Sequence, residues 1–155
     1  MQYGRVEIDG QEYVERPQVF PQDVNITFAN QLLTQQRLIL PGVANFLLKG
    51  LTRETIASQA SAPRDFKFRL GNSDGQTWYI AGGIGSTTER AFHTLVLGTG
   101  QFPFTLIPPI PYTAGASIVF EVEDIGNGPF PYTINFAFHG SYLIPVGASI
   151  AGSVS

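Results

Sequence analysis

The sequence contains no cysteine, which excludes thiolate metal sites, redox motifs and cysteine nucleophiles. Charged residues are scarce as well, at 14% of 155 residues against roughly 25% in typical soluble domains. The formal net charge of −3 argues against a nucleic-acid-binding protein that works by counter-ion release. A chain of this length is expected to form one domain that buries roughly 70% of its unfolded surface, so neither a disulfide nor a metal is needed for stability.

Charge is missing from most of the C-terminal half. All nine basic residues precede residue 91, and the charges after residue 90 are three acids, Glu121, Glu123 and Asp124. Monomers normally keep charge dispersed over their surface. A neutral exterior therefore predicts a surface that another subunit covers. The alternative is that these stretches are simply buried strands and uncharged loops.

Long hydrophobic runs are also absent. Proline and glycine interrupt the two charge-free stretches, 91–120 and 125–155, before about 18 apolar residues accumulate, so no membrane span is predicted. The amino end has no positively charged start followed by an apolar run, and no signal peptide is predicted. We therefore expect synthesis and folding in a cytosol and no membrane partner.

The sequence has instead an alternation of apolar and polar residues with a period of two, which indicates strands with one buried face. Phe66–Leu70, Ile118–Val122 and Tyr132–Phe138 show it most clearly. The weaker candidates are 24–28, 37–40, 45–51, 77–81, 93–97, 102–106 and 142–146. Nine or ten short strands with Gly/Asn turns between them predict an all-β antiparallel sandwich or barrel. Only 29–36 and 52–60 offer a turn or two of helix.

The amino-terminal segment predicts a small hairpin, in which Asp9-Gly10 forms a type I′ turn between Arg5–Ile8 and Gln11–Arg16. Pro17 and Pro21 are expected to separate it from the first core strand. We predict an arm over residues 1–18, docked on its own sandwich or on a neighbouring subunit, and a β-sandwich domain over 19–155; a frayed terminus is the alternative. The candidate interaction residues of the arm are Arg5, Glu7, Glu12, Tyr13 and Arg16.

Catalytic candidates are few. His93 and His139 lie on predicted strands or at their ends without a neighbouring Ser or carboxylate motif, which favours a hydrogen-bonded structural role. Glu121 and Glu123 share one strand face about 7 Å apart, a spacing that would suit carboxylates flanking a glycosidic bond. A polar outer strand face explains the same pattern more simply. We predict that the chain is not an enzyme and has no catalytic residue.

Cofactor and metal motifs are incomplete. Glu123 and Asp124 could contact a divalent ion, but no loop has EF-hand spacing. Gly82–Gly85 follows a predicted strand, yet neither a Lys-Ser/Thr pair nor a clear helix follows it. The segment therefore lacks the features of a phosphate-binding loop. We predict no cofactor and no metal site.

Aromatic residues make up 12% of the chain and most of the 12 phenylalanines are expected in the core. Carbohydrate binding is a second possibility, because tyrosine and tryptophan rings can stack on sugars. The residues that would form such a platform are Trp78, Tyr79, Tyr112, Tyr132 and Tyr142. Of these, Trp78, Tyr112 and Tyr142 are taken as candidate interaction residues.

The order of the later segments, from about Pro41 to Val146, resembles a known family. These segments are 45–51, 66–70 with the turn 72–75, 107–109, 114–118 and 136–145. They are similar to the jelly-roll cement, or decoration, proteins on the outer surface of tailed-bacteriophage heads. The resemblance rests on strand and turn patterns and not on a chemical signature.

The resemblance implies a jelly-roll sandwich on the capsid surface of a virion, made in the host cytoplasm. Its implied partners are the major capsid protein and further copies of the chain, as a homodimer or homotrimer, with no nucleic acid. Its implied function is to stabilise contacts between major capsid subunits. The alternative is a tail- or head-associated β-sandwich module that binds a host-surface glycan or another virion protein.

Overall fold

The computed structural model describes residues 4–57, 65–80, 90–92, 97–99, 103–126 and 129–146. Its regular structure consists of ten strands, and the described residues include no helix, hence none that could cross a membrane. The strands are β1 (Arg5–Ile8), β2 (Gln11–Ile26), β3 (Leu32–Ile39), β4 (Asn45–Ala57), β5 (Phe66–Gly71), β6 (Trp78–Ile80), β7 (Ala91–Phe92), β8 (Phe104–Tyr112), β9 (Ser117–Asp124) and β10 (Tyr132–Pro145).

The strands form two antiparallel sheets. Sheet A has the order β1-β2-β10-β4-β8, and sheet B has the order β3-β9-β5-β6, with β7 also paired to β5. Strands β6 and β7 follow one another along the same edge of β5 and together take one place in the sheet. Counted from β2, sheet A then holds strands 1-8-3-6 and sheet B holds strands 2-7-4-5. This is the strand order of a jelly roll, and the predicted all-β antiparallel sandwich is confirmed.

The core between the sheets is built from phenylalanines. Phe68 and Phe120 stack with ring centroids 6.0 Å apart, and Phe136 from the opposite sheet lies 5.3 Å from Phe68. The six largest side chains with almost no exposure are Phe46, Phe66, Phe68, Phe120, Phe136 and Phe138. Aromatic pairs of this kind contribute about 0.5–1.5 kcal/mol each beyond their area burial. The three clearest alternating segments of the sequence are therefore core strands, as predicted.

The amino-terminal hairpin is confirmed and forms one edge of sheet A. Strand β1 pairs with the start of β2, and Asp9 and Gly10 adopt φ of 51° and 80°, as a type I′ turn requires. The predicted break at Pro17 and Pro21 is wrong, because β2 runs unbroken to Ile26 and pairs with β10 from Tyr13 to Ile26. The boundary placed at residue 18 falls inside this strand.

Hydrogen-bond direction explains how β2 accommodates two prolines. The Glu15 N–H donates to the Gly4 carbonyl on the β1 side, whereas the Glu12 carbonyl accepts from Val146 on the β10 side. Successive residues of an antiparallel strand direct their backbone N–H and C=O groups to alternate sides. Pro17 and Pro21 therefore direct their ring nitrogens away from β10, to the same side as the Glu15 N–H. Neither proline removes a bond from the β2–β10 ladder, and both block the free edge of β2.

The two helical predictions are wrong. Residues 32–36 belong to β3, which pairs with β9, and residues 52–57 belong to β4, which pairs with β10. Pairing with distant strands overrides local propensity here. Residues 58–60 of the second segment and residues 93–96 of one weak strand candidate lie outside the described residues.

Candidate functional site

Four predicted interaction residues lie on one face of the β1–β2 hairpin. Glu7 is directly opposite Glu12, and Arg5 Nη1 lies 3.1 Å from Glu12 Oε1. Arg16 is on the same face because side chains alternate along β2. Both members of the Arg5–Glu12 pair are well exposed, which limits its contribution to about 0.2–1 kcal/mol. Glu7 has no ion-pair partner within the described part of the chain.

Tyr13 lies on the opposite face of the hairpin, where it is half-buried and faces Val6 across the β1–β2 pair. The same face of sheet A carries an ion pair between Lys49 Nζ and Glu15 Oε1, at 2.6 Å. The hairpin therefore brings the charged candidates together and separates Tyr13 from them.

The predicted sugar-stacking platform is not formed. Tyr112, Tyr132 and Tyr142 are 3%, 2% and 8% exposed, because each lies on the core side of its strand. The Tyr142 ring packs edge-on against Phe20 and Phe46, at centroid distances of 6.1 and 6.2 Å. Burial raises the pKa of Tyr112 and of Tyr142. Tyr112 and Tyr142, taken from the sequence as interaction residues, thus offer no exposed ring.

Two of these tyrosines join the core to buried polar groups. The Tyr112 hydroxyl donates to the Gly71 carbonyl at 3.0 Å and so links sheet A to sheet B. The Tyr132 hydroxyl donates to Asp124 Oδ1 at 2.6 Å, and Asp124 is completely buried. Because buried polar groups cost free energy unless they are hydrogen-bonded, these contacts are structural.

Trp78 is half-buried on the outward side of sheet B. The Arg69 guanidinium lies 3.6 Å from the centroid of the indole ring, a cation–π contact that occupies one face of it. Tyr79 is 41% exposed and meets Tyr112 edge-on at 6.1 Å. Of the five predicted platform residues, Tyr79 is exposed and Trp78 is partly exposed.

Glu121 is the centre of an ion-pair network on the outward side of β9. The carboxylate is only 2% exposed, and its Oε1 accepts from Arg69 Nε at 2.8 Å and from Arg90 Nη2 at 2.5 Å. Its Oε2 accepts from the Gln35 backbone N–H at 3.2 Å. Arg90 also reaches Glu123 Oε2 at 3.3 Å. Glu121 thus lies on a polar outer strand face, as predicted, but arginine and glutamine side chains bury it there.

The network keeps Glu121 ionised. Burial alone would raise the pKa of its carboxyl, but hydrogen bonds from Arg90, Arg69 and the Gln35 backbone outweigh burial and lower it. With both oxygens engaged, Glu121 is not open to a substrate. The candidate pair with Glu123 consequently lacks the accessible geometry of two carboxylates flanking a glycosidic bond.

Gln35 is a site residue that the sequence did not indicate. It adopts φ of 51° in a bulge of β3, which directs its backbone N–H toward Glu121. Its side-chain amide donates to the Gly75 carbonyl at 3.2 Å, so the β5–β6 turn is also attached. Glu121 thereby connects β3, β5 and residue 90. The residue types of a polar strand do not indicate where such a bulge occurs.

The described residues contain no group of three or more His, Cys, Asp or Glu side chains that could hold a metal. The weak candidate at Glu123 and Asp124 is not formed, because Asp124 points inward and accepts from the Asn30 N–H at 3.0 Å. The Gly82–Gly85 loop and His93 lie outside the described residues.

His139 is hydrogen-bonded, as expected for a structural histidine. Its Nε2 lies 2.9 Å from Thr52 Oγ1 on the outward side of sheet A, and burial lowers its pKa. The imidazole is therefore neutral at pH 7.

The outward side of β8 and β10 carries no exposed charge in the described part of the chain. Neither strand contains Asp, Glu, Lys or Arg. Strand β4 lies between β10 and β8, and two exposed acids, Asp23 on β2 and Glu54 on β4, lie on either side of Asn135. We name the outward side of β8 and β10 the neutral face; its residues are Thr105, Ile107, Thr133, Asn135, Ala137 and His139.

The neutral face offers apolar contact and hydrogen bonding. Ile107 is 88% exposed at the edge of it, the most exposed of the large hydrophobic side chains in the described residues.

Comparison with known proteins finds no matching family model, no matching curated protein and no matching solved structure. Function is therefore argued from the geometry and the sequence.

Proposed function

We propose that this chain is a non-catalytic structural protein of a bacteriophage virion, which binds the outer capsid surface and stabilises contacts between major capsid subunits. The observation that carries the proposal is that β8 and β10 contain no Asp, Glu, Lys or Arg, so the neutral face has no charge of its own. A protein that covers a shell benefits from such a face, since a contact over it requires no charge of β8 or β10 to lose its water and leaves Asp23 and Glu54 at the rim.

The energetics suit a protein present in many copies. Apolar area removed from water contributes about 25 cal/mol per Å², from which the cost of association is subtracted. Ile107 provides an apolar anchor at the edge of the face. Many identical weak contacts on one shell act together, so that modest affinity per copy gives stable coverage.

Two further features support the proposal. The jelly-roll strand order agrees with the fold that the sequence resemblance implies. The resembling segments, from about Pro41 to Val146, include β4 to β10 and thus the whole neutral face. The proposed partner is the major capsid protein, and neither nucleic acid, membrane, metal nor cofactor takes part.

The test uses two matched isoleucines on opposite sheets. Ile107→Lys places a charge beside the neutral face, and Ile39→Lys places one on β3 of sheet B, where Ile39 is 72% exposed. Purified shells that lack the chain are mixed with each variant, and occupancy is measured by co-sedimentation. We expect Ile107→Lys to bind roughly tenfold more weakly and Ile39→Lys to bind like the unmodified chain.

Equal occupancy for both variants would show that the neutral face is not the contact surface. Failure of the unmodified chain to sediment with any shell would overturn the proposed function. If the unmodified chain bound host-surface glycans instead, the alternative of a glycan-binding virion module would take its place.

A further inference from the structure

We infer that β1 pairs with β1 of a second copy, antiparallel about a two-fold axis at Val6, so that two A sheets form one continuous sheet. This goes beyond the proposed function, because it concerns the end of sheet A that carries the hairpin and requires no shell.

The other sheet edges in the described part of the chain are protected against such pairing. Pro17 and Pro21 block the free edge of β2, and β8 contains three prolines. Strand β3 is interrupted by the bulge at Gln35, and β6 and β7 are only 3 and 2 residues long. Strand β1 has no proline and no bulge. Its outer edge therefore presents backbone groups that a further strand can bind.

The hairpin fixes which groups of β1 face outward. The Gly4 carbonyl accepts from the Glu15 N–H at 2.8 Å, so Gly4, and with it Val6 and Ile8, hydrogen-bonds toward β2. Arg5 and Glu7 consequently direct their N–H and C=O groups to the free edge. An antiparallel partner must pair with these two residues. With the two-fold axis at Val6, Arg5 of each copy pairs with Glu7 of the other, and four N–H···O=C bonds form.

The side-chain charges select the same register. Each Arg5 guanidinium lies opposite a Glu7 carboxylate of the other copy, which gives two favourable cross-strand pairs. An axis at Arg5 or at Glu7 would instead place like charges against each other. Within one chain Glu7 faces Glu12 and has no ion-pair partner among the described residues. Pairing between copies supplies the missing positive charge.

The resulting dimer is small and concentration-dependent. A strand of 4 residues buries far less than the roughly 1,600 Å² of a standard interface. On a shell the effective concentration of neighbouring copies is high, and a weak contact of this kind then becomes populated.

A charge-swap series tests the pairing in solution, with no shell present. Sedimentation velocity on the full chain should show a monomer–dimer equilibrium as concentration rises. Arg5→Glu or Glu7→Arg alone should weaken it by roughly tenfold, and the double variant should restore it. In the double variant, the arginine introduced at position 7 also lies opposite Glu12, so the hairpin keeps an internal pair.

The absence of native cysteine allows a second test. In the proposed register the two Val6 residues form a non-hydrogen-bonded pair with Cα atoms about 4.5 Å apart, within the range that a disulfide spans. Oxidised Val6→Cys should therefore run as a covalent dimer at concentrations where the exposed control Ile39→Cys remains monomeric.

The outcomes separate this inference from the proposed function. A chain that stays monomeric at every concentration, a trimer, or equal cross-linking of both cysteine variants overturns the β1 pairing. Shell binding that persists when the charge-reversed variants are monomeric leaves the proposed function intact. Restored dimerisation in the double variant, together with selective cross-linking at position 6, supports the pairing whether or not shells bind.

Discussion

Glu121 on β9 and Arg69 on β5 lie side by side across the B sheet, with Arg69 Nη2 2.7 Å from Glu121 Oε1. Their side chains are 2% and 12% exposed, so solvent screens the pair little. The pair occupies the outward side of the sheet, where Arg69 also stacks on Trp78. The network thus gives sheet B a second, polar layer outside the aromatic core.

Removing the central charge of this network should be costly. Glu121→Gln leaves Arg69 and Arg90 without their main opposing charge, and we expect the free energy of unfolding to fall by about 3 kcal/mol. Urea denaturation measures the loss, and Trp78 is a convenient reporter because it is the single tryptophan. Glu123→Gln is the control: that side chain is 35% exposed, and its loss should cost less than about 1 kcal/mol. Similar losses in the two variants would contradict the central role of Glu121.

His139 should make stability depend on pH near neutrality. Burial lowers its pKa from the ordinary value of 6.5, so the unfolded chain binds the proton more readily than the folded one. The stability that neutral His139 contributes is therefore complete above pH 6.5. It is lost as the pH falls through the lowered pKa of the folded state. Urea midpoints measured from about pH 8 to about pH 5 should fall less in His139→Gln than in the unmodified chain. Identical pH profiles would show that His139 does not titrate in this way.

The hydrogen-bond direction along β2 can be tested with proline. Gln22 lies opposite Phe136 and directs its N–H toward β10, so Gln22→Pro removes a ladder bond and should cost about 1–3 kcal/mol. Asp23 is the matched control, because its N–H faces the free edge as the nitrogens of Pro17 and Pro21 do. Asp23→Pro should change the free energy of unfolding by less than about 1 kcal/mol. If it proved as damaging as Gln22→Pro, the assigned direction of the β2 hydrogen bonds would be wrong.

The sequence predicted those parts of the fold that depend on neighbouring residues. Alternation identifies Phe66–Leu70 as a strand because one of its faces must be buried, and Asp9-Gly10 identifies a turn because it needs positive φ. Alternation and turns alone do not give the strand order, since the pairing of β2 with β10 joins distant segments; the jelly-roll order was expected only from the resemblance. The prolines of β2 were misinterpreted because local rules do not show which way a strand's N–H groups point.

The candidate site was less predictable for the same reason. Alternation placed Glu121 on the outward side of β9 correctly, but it does not show what covers that side. The covering groups come from separate elements, Arg69, Arg90 and the bulge at Gln35. Tyr112 and Tyr142 were misassigned because the face that a tyrosine occupies depends on the register of its strand with distant partners.

Gly140 lies in β10 beside the bulge where Lys49 is the extra residue of β4. A Cβ at Gly140 would collide with the Leu47 carbonyl oxygen and would lie 2.6 Å from Cζ of Phe46. Gly140→Ala should therefore destabilise the fold by about 2–3 kcal/mol, since neither backbone nor packed ring can move away freely.

Gly42→Ala is the matched control for this variant, because Gly42 has no atom within 4 Å of the added Cβ. It should change the free energy of unfolding by less than about 0.5 kcal/mol. Thermal and urea unfolding of the two variants measure the difference. Equal stability would mean that β4 can shift away from β10 at this point. In that case the packing of Tyr142 against Phe46 would not depend on the absence of a side chain at position 140.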